Sequence, residues 1–379
     1  MMKKTESLKV KFRGQIVGTL SQTPDNRLNV FEYDKSWLAD GFSISPLELP
    51  LKKGSFVAKS RPFYGNFGIF EDSLPDGYGR YLLHKTLLRH GINDSDLSTL
   101  DRLALVGENG MGALTFSPAI ILEQEKTETD FDRLQKIAFE VLKEKQDKDA
   151  GLLLYNSGNS GGARPKAVFS DAEGHWIVKF HHTYDPKDIG IQEAKYNEVA
   201  GKCGIIVPDF RLINEKYFAT RRFDIDNNGC RIHTATAGGL TGISLSEPFM
   251  DYSNLLALTG YITQSIEDVE QMYRRMLFNY FTDNKDDHCK NFSFYVVWDK
   301  GLNGWRWRLA PAYDLTLCTE GYNGEHATSV NGTGQPKLAD FLAVGKKIRL
   351  SEDRCRQMIE EIRSGCSELK RYDIGINSF

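Results

Sequence analysis

Residues 283–294 read Asp-Asn-Lys-Asp-Asp-His-Cys-Lys-Asn-Phe-Ser-Phe. No other stretch constrains the fold as much, because it sets acids, amines, amides and an imidazole between two apolar segments of different period. Before it, Met272, Met276, Leu277 and Tyr280 recur at helical spacing; after it, Phe292, Phe294, Val296 and Trp298 alternate. The polar cluster is therefore expected to be a loop joining a helix to a strand, which demands a mixed α/β chain. Loops of this kind are where rigid scaffolds present chemistry.

Within the loop, Asp286 and Asn291 bracket four residues. That is the spacing of a phosphotransfer loop in which the aspartate takes the proton of an incoming hydroxyl and the asparagine holds magnesium. A second acid, Asp314, follows the strand-like run Trp305 to Leu309 and can supply a carboxylate to the same metal. Hard oxygen ligands of this type suit Mg2+.

Upstream, residues 155–166 (YNSGNSGGARPK) are a glycine-rich loop that opens a hairpin: a strand at 167–169, a turn at 171–174 and a strand at 176–180 that carries Lys179. A glycine loop followed by a strand lysine is the arrangement that covers nucleotide phosphates and pairs their charge. Ser160, Gly161 and Gly162 are the expected nucleotide-contacting residues of that loop. The helix expected from Ile189 to Cys203 carries Glu193 and Glu198, either of which can pair with Lys179. Further strands are expected at 205–208 and 217–224, and helices at 254–259, 266–280 and 352–362. Nearer the start, 8–12, 16–20 and 28–33 alternate as strands, and 78–87 shows a helical apolar face after a break at Asp76-Gly77. The three glycines of 106–112 are read as a plain turn in preference to a phosphate cradle. The polar helix expected within 126–149 is read as a connector.

With 379 residues, 40% hydrophobic and 26% charged, the chain can bury a large core. Its net charge of -3 gives no general attraction to nucleic acid. The six cysteines show no paired CxxC spacing, which points to reduced thiols. No apolar run reaches the ~18 residues of a membrane span, so a cytoplasmic protein with no membrane association is expected.

The ordered motifs DSLPDGYGR (72–80), DRLALVGENGMGALTFSP (101–118), GGARPKA (161–167), TRRFD (220–224), RIHTATA (231–237), NKDDHCKNFS (284–293) and LAPAYDL (309–315) resemble the HipA family of bacterial serine/threonine kinases, toxins of type II toxin–antitoxin pairs. The resemblance implies an α/β (α+β) fold of two kinase-like lobes: an added N-terminal β-rich subdomain (1–125), an N-lobe with the glycine-rich loop (126–225) and a mostly helical C-lobe with the catalytic loop (226–379). It implies Lys179 on ATP phosphates, Phe223 beside the adenine, His288 as a further nucleotide contact, Asp286 as catalytic base, and Asn291 and Asp314 as magnesium ligands. ATP and Mg2+ are the implied cofactors. A translation-related protein is the implied substrate, and the implied partner is a small helix-turn-helix antitoxin through which alone DNA is reached.

Kinases of this family commonly carry a regulatory serine at the position occupied here by Asn159; Ser157 and Ser160 flank it and are the candidate autophosphorylation sites. Two other functions fit the same residues: a small-molecule phosphotransferase, and a pseudokinase acting as co-repressor with an antitoxin on operator DNA.

Overall fold

The computed structural model describes residues 4–122, 128–144, 149–157, 161–246 and 250–369. They form two compact units, each assembled from separated pieces of chain. The first takes residues 1–190 and 211–235, the second 191–210 and 236–379.

The first unit opens on an antiparallel sheet. Strands β1 (Ser7–Phe12), β2 (Gln15–Gln22), β3 (Asn29–Tyr33), β4 (Ser55–Val57) and β5 (Leu114–Ser117) lie in the order β4-β3-β2-β1-β5. The alternation seen in sequence is the burial pattern: Leu8, Val10 and Phe12 point inward while Ser7 and Lys9 face water. The strand at the edge of this sheet, β5, follows directly on the region read as a glycine turn. The turn itself is a structural joint. Gly112 N–H donates to Asp224 (2.9 Å) and Arg231 donates to the carbonyls of Glu108 and Gly110. A Cβ on Gly112, whose φ is +69°, would lie 2.7 Å from Thr234 Oγ1. Gly112 is needed for close approach to Thr234, and Asp224 and Arg231 of the TRRFD and RIHTATA motifs bond the backbone of the same turn.

A second sheet of the same unit is β6 (Lys166–Asp171), β7 (Gly174–Lys179), β8 (Phe210–Ile213) and β9 (Tyr217–Arg221), ordered β6-β7-β9-β8. The expected hairpin is present, with Lys166 opposite Lys179. The strand expected at 205–208 falls instead at Phe210–Ile213, because Ile205 to Val207 follow the helix stop at Gly204 as irregular chain. The helix Phe131–Leu142 is not a connector. Its buried face of Leu134, Ile137, Ala138 and Val141 shares one core with Ala167, Trp176, Val178, Phe180 and Tyr217 of the sheet, and with Tyr78 and Leu82 of the helix Gly77–Arg89. Its charges, which made it read as a connector, lie off that stripe, and one of them, Asp132, accepts from the Tyr217 hydroxyl of the sheet (2.7 Å).

The second unit is mainly helical, with helices Tyr252–Thr263, Ile266–Phe281, Leu338–Lys347 and Glu352–Gly365 and the hairpin of strands Ser293–Asp299 and Gly304–Leu309. Ser265 caps Ile266–Phe281 by accepting from Asp268 N–H. Asp268 then takes a bidentate pair from Arg308 (2.8 and 2.9 Å) and the N–H of Leu309 (3.2 Å). Farther along the helix, buried Arg275 donates to Ala310 O. One helix thus fixes where the strand ends and where the segment leading to Asp314 begins. Among the described residues no helix is long and apolar enough to cross a membrane.

Candidate functional site

The loop after Ile266–Phe281 is held from beneath by polar residues that are almost fully buried. Asn284 N–H and Nδ2 bond to Asn279 O and Oδ1 (2.9 and 3.0 Å), and Nδ2 also reaches the carbonyl of Asp314 (3.3 Å). Asn279 donates to Tyr252 Oη (2.9 Å), and Tyr252 donates in turn to Asp287 (2.9 Å). Asp287, 1% exposed, also accepts from Thr328 N–H (3.2 Å) and pairs with His326 Nδ1 (3.0 Å), whose ring stacks on Tyr280 at 3.7 Å. Each of these bonds ends on a group that would be costly to bury unpaired, so the network fixes the loop backbone. Lys285 N–H and Cys318 N–H extend the tie to the segment after Asp314, bonding Cys318 O and Asp283 O at 3.0 Å each.

On that frame Asp286 points the other way, its side chain 56% exposed. Asn291 donates its Nδ2 to Asp286 O (2.7 Å), which leaves Oδ1 as the atom it can offer a cation. His288 Nε2 stands 3.7 Å from Asp286 Oδ1, and its Nδ1 is buried with no hydrogen-bond partner among the described residues. Asp314 sits at φ +54°, in the left-handed region that a non-glycine residue enters at some cost and that is often found at functional positions. An amide oxygen from Asn291 and a carboxylate from Asp314 are hard donors of the kind magnesium takes.

In the first unit, Lys179 ends β7 with its Nζ 5.8 Å from the Phe218 ring centroid. Gly162 N–H donates to Asp76 (2.6 Å), Gly162 O accepts from Tyr78 N–H (3.0 Å), and Gly161 O accepts from Lys166 Nζ. Arg164 is engaged by Asp185 through two bonds (2.9 and 3.1 Å). Phe223, half-buried, lies between Arg222 and Asp224, which pair with each other at 2.9 and 2.7 Å. Burial pushes the Asp224 carboxyl up, but the charge of Arg222 and the Gly112 N–H outweigh it, so the group stays below the usual carboxylate range.

Ser157 is not in a loop. It ends the helix Ala150–Ser157, fully buried, with its hydroxyl donating to Leu154 O (2.9 Å). The apolar run Leu152–Leu154 extended the helix into residues whose polarity read as loop. Ser160 lies outside the described residues. Of the two acids considered for Lys179, Glu198 is exposed and bound by Lys202 (3.0 Å) and Lys195 (3.3 Å), whereas Glu193 is 3% exposed.

Asp76, Tyr252, Asn279, Asp287 and His326 were not anticipated. Only Asp76 had a local signal, the helix break at Asp76-Gly77; the others acquire meaning from partners far away in sequence.

The sequence matches the family model of the HipA-like C-terminal domain over residues 158–369 and that of the HipA N-terminal domain over residues 8–117. The chain belongs to the HipA family. Among solved structures it is similar to the chain in the Shewanella oneidensis MR-1 toxin–antitoxin complex of HipA, HipB and operator DNA, with 18% identity, a TM-score of 0.72, and coverage of 98% of this chain and 93% of that one. At that identity the likeness establishes a shared HipA fold. The Helicobacter pylori proinflammatory kinase CtkA aligns with 13% identity and a TM-score of 0.36 over 54% of this chain and 90% of its own. No protein of curated function matches the sequence.

Proposed function

We propose that this HipA-family chain is an ATP- and magnesium-dependent serine/threonine protein kinase, the toxin of a toxin–antitoxin pair, acting on a translation-related protein. The observation that carries the reading is the 284–291 loop. A buried network anchored on Asp287 fixes its backbone while Asp286 stays open to solvent and Asn291 is oriented from within the same loop. That division suits a base that must meet a large, incoming hydroxyl substrate.

In this mechanism Asp286 would accept the proton of the substrate hydroxyl as the hydroxyl oxygen bonds to the terminal phosphorus of ATP and the bond from that phosphorus to the bridging oxygen breaks, ADP leaving with the electron pair. Asn291 and Asp314 would hold the magnesium, which would supply positive charge to offset that of the phosphates. Lys179 pairs with the phosphates. Ser160, Gly161 and Gly162 cover them, while Phe223 and His288 contact the rest of the nucleotide. Self-phosphorylation belongs to the same proposal. Because Ser157 is buried and its hydroxyl is bonded within its helix, we assign the acceptor role to Ser160.

The structurally similar Shewanella HipA occurs with HipB and operator DNA. By analogy we propose a small helix-turn-helix antitoxin as partner, with DNA reached only through it, in keeping with a net charge of -3. The setting proposed is the cytoplasm.

The test is transfer of labelled phosphate from ATP into a host lysate by the protein and by Asp286→Asn. A labelled protein that appears only with the unaltered chain supports the reading. Equal labelling by both, or turnover of a small molecule with no protein labelled, overturns it.

A further inference from the structure

The DSLPDGYGR motif has no part in the mechanism above, yet it touches the stretch assigned to the nucleotide. Asp76 is the residue before the helix Gly77–Arg89, the position where an aspartate ordinarily caps its own helix by accepting from the first-turn N–H groups. Here no such bond is made. The carboxylate instead accepts from Gly162 N–H at 2.6 Å, and two residues on, Tyr78 N–H donates back to Gly162 O at 3.0 Å. The two bonds are reciprocal and grip a single residue. The approach is too close for a side chain: a Cβ on Gly77, at φ +44°, would lie 2.6 Å from Gly162 O. Gly162 itself is at φ +96°, and a Cβ there would meet Lys166 Nζ at 2.8 Å. Lys166 closes the grip from the other side through Gly161 O. Behind it the helix is anchored in the core by Tyr78 and Leu82.

We propose that Asp76, with Gly77 and Tyr78, is a positioning clamp for nucleotide: it fixes the Gly161–Gly162 backbone in the conformation that meets the phosphates, so that part of the affinity for Mg·ATP is set by the N-terminal module. The proposal rests on the nucleotide role given above to Gly161 and Gly162. Glycines bring close approach at the cost of backbone freedom, and a loop held in place beforehand loses less of that freedom on binding. The clamp supplies the restraint that the glycines lack.

The test uses the full chain with Asp76→Ala and Asp76→Asn, whose amide oxygen can still accept from Gly162 N–H. Hydrogen exchange of the 161–166 segment without nucleotide reads the clamp itself; KM for ATP and kcat read its purpose. The expected result is faster exchange in Asp76→Ala, a KM for ATP raised about tenfold, as for loss of one charge-assisted hydrogen bond, and kcat at saturating ATP within about twofold. Asp76→Asn recovers most of both effects, which a general loss of folding would not allow. Faster exchange with an unchanged or lowered KM overturns the positioning role while leaving the kinase reading intact. Unaltered protein that binds no Mg·ATP overturns both.

Discussion

Asp286 and Asp287 are adjacent in sequence and opposite in environment: the first side chain is 56% exposed, the second has no exposed surface. Substitutions at the two should separate chemistry from architecture. Asp286→Asn is expected to remove phosphoryl transfer by a factor of about 10^2 to 10^4 with little change in ATP affinity or stability, and Asp314→Ala to weaken Mg·ATP binding itself. Single-turnover kinetics with nucleotide titration checks this; equal losses of ATP affinity in both variants would contradict the roles. Asp287→Ala strands the Tyr252 hydroxyl, Thr328 N–H and His326, so it should cost about 2–4 kcal/mol of stability, seen as a lowered midpoint in urea. The loop at 283–294 was legible because its chemistry is local, with helix, polar cluster and strand contiguous. The partners of Asp287 were not, since Tyr252 and His326 lie 35 and 39 residues away along the chain. No period or spacing rule connects them.

The hairpin of β6 and β7 and the helices Gly77–Arg89 and Ile266–Phe281 all emerge where periodicity places them. The helix Phe131–Leu142 is legible in sequence but its packing is not, because its sequence shows an apolar stripe without showing what the stripe meets. Leu134→Ala, at a position with no exposed surface, should cost about 2–5 kcal/mol. Chemical unfolding decides it, and a cost under 1 kcal/mol would return the helix to the status of a peripheral connector. The glycine turn at 106–112 shows the reverse ambiguity: glycines mark close approach, but only the fold reveals that Asp224, Arg231 and Thr234 approach them. Asp76 belongs with these, since its break in the pattern was visible and its target, Gly162, was not.

Each of the two units draws on separated segments of chain, and the first is closed by residues 211–235. His233 sits in that closing segment, fully buried, with Nε2 bonded to Ile44 O at 2.8 Å. Burial pushes its pKa down from 6.5 to about 4, only partly offset by that bond. The folded protein therefore keeps His233 neutral where the unfolded chain takes up a proton. Its contribution to stability is complete above pH 6.5 and is lost as pH falls toward about 4. Urea unfolding at a series of pH values should show this slope, and His233→Gln, which cannot titrate, should flatten it; parallel profiles would refute the assignment.

The family models divide the chain into consecutive blocks, 8–117 and 158–369, whereas the first compact unit takes the whole of one block and part of the other. During synthesis that interleaving imposes an order. Domains fold as their chain is synthesised at about 5–20 residues per second, and the first unit cannot close until Ala235 has been made, after Ile191–Phe210 of the second has already been made. Asp286, Asn291 and Asp314 follow later still. A product released between residues 235 and 286 would thus carry a complete first unit, Lys179 and Asp76 included, and lack Asp286. Translation finishes the part assigned to gripping nucleotide before it makes the part assigned to spending it.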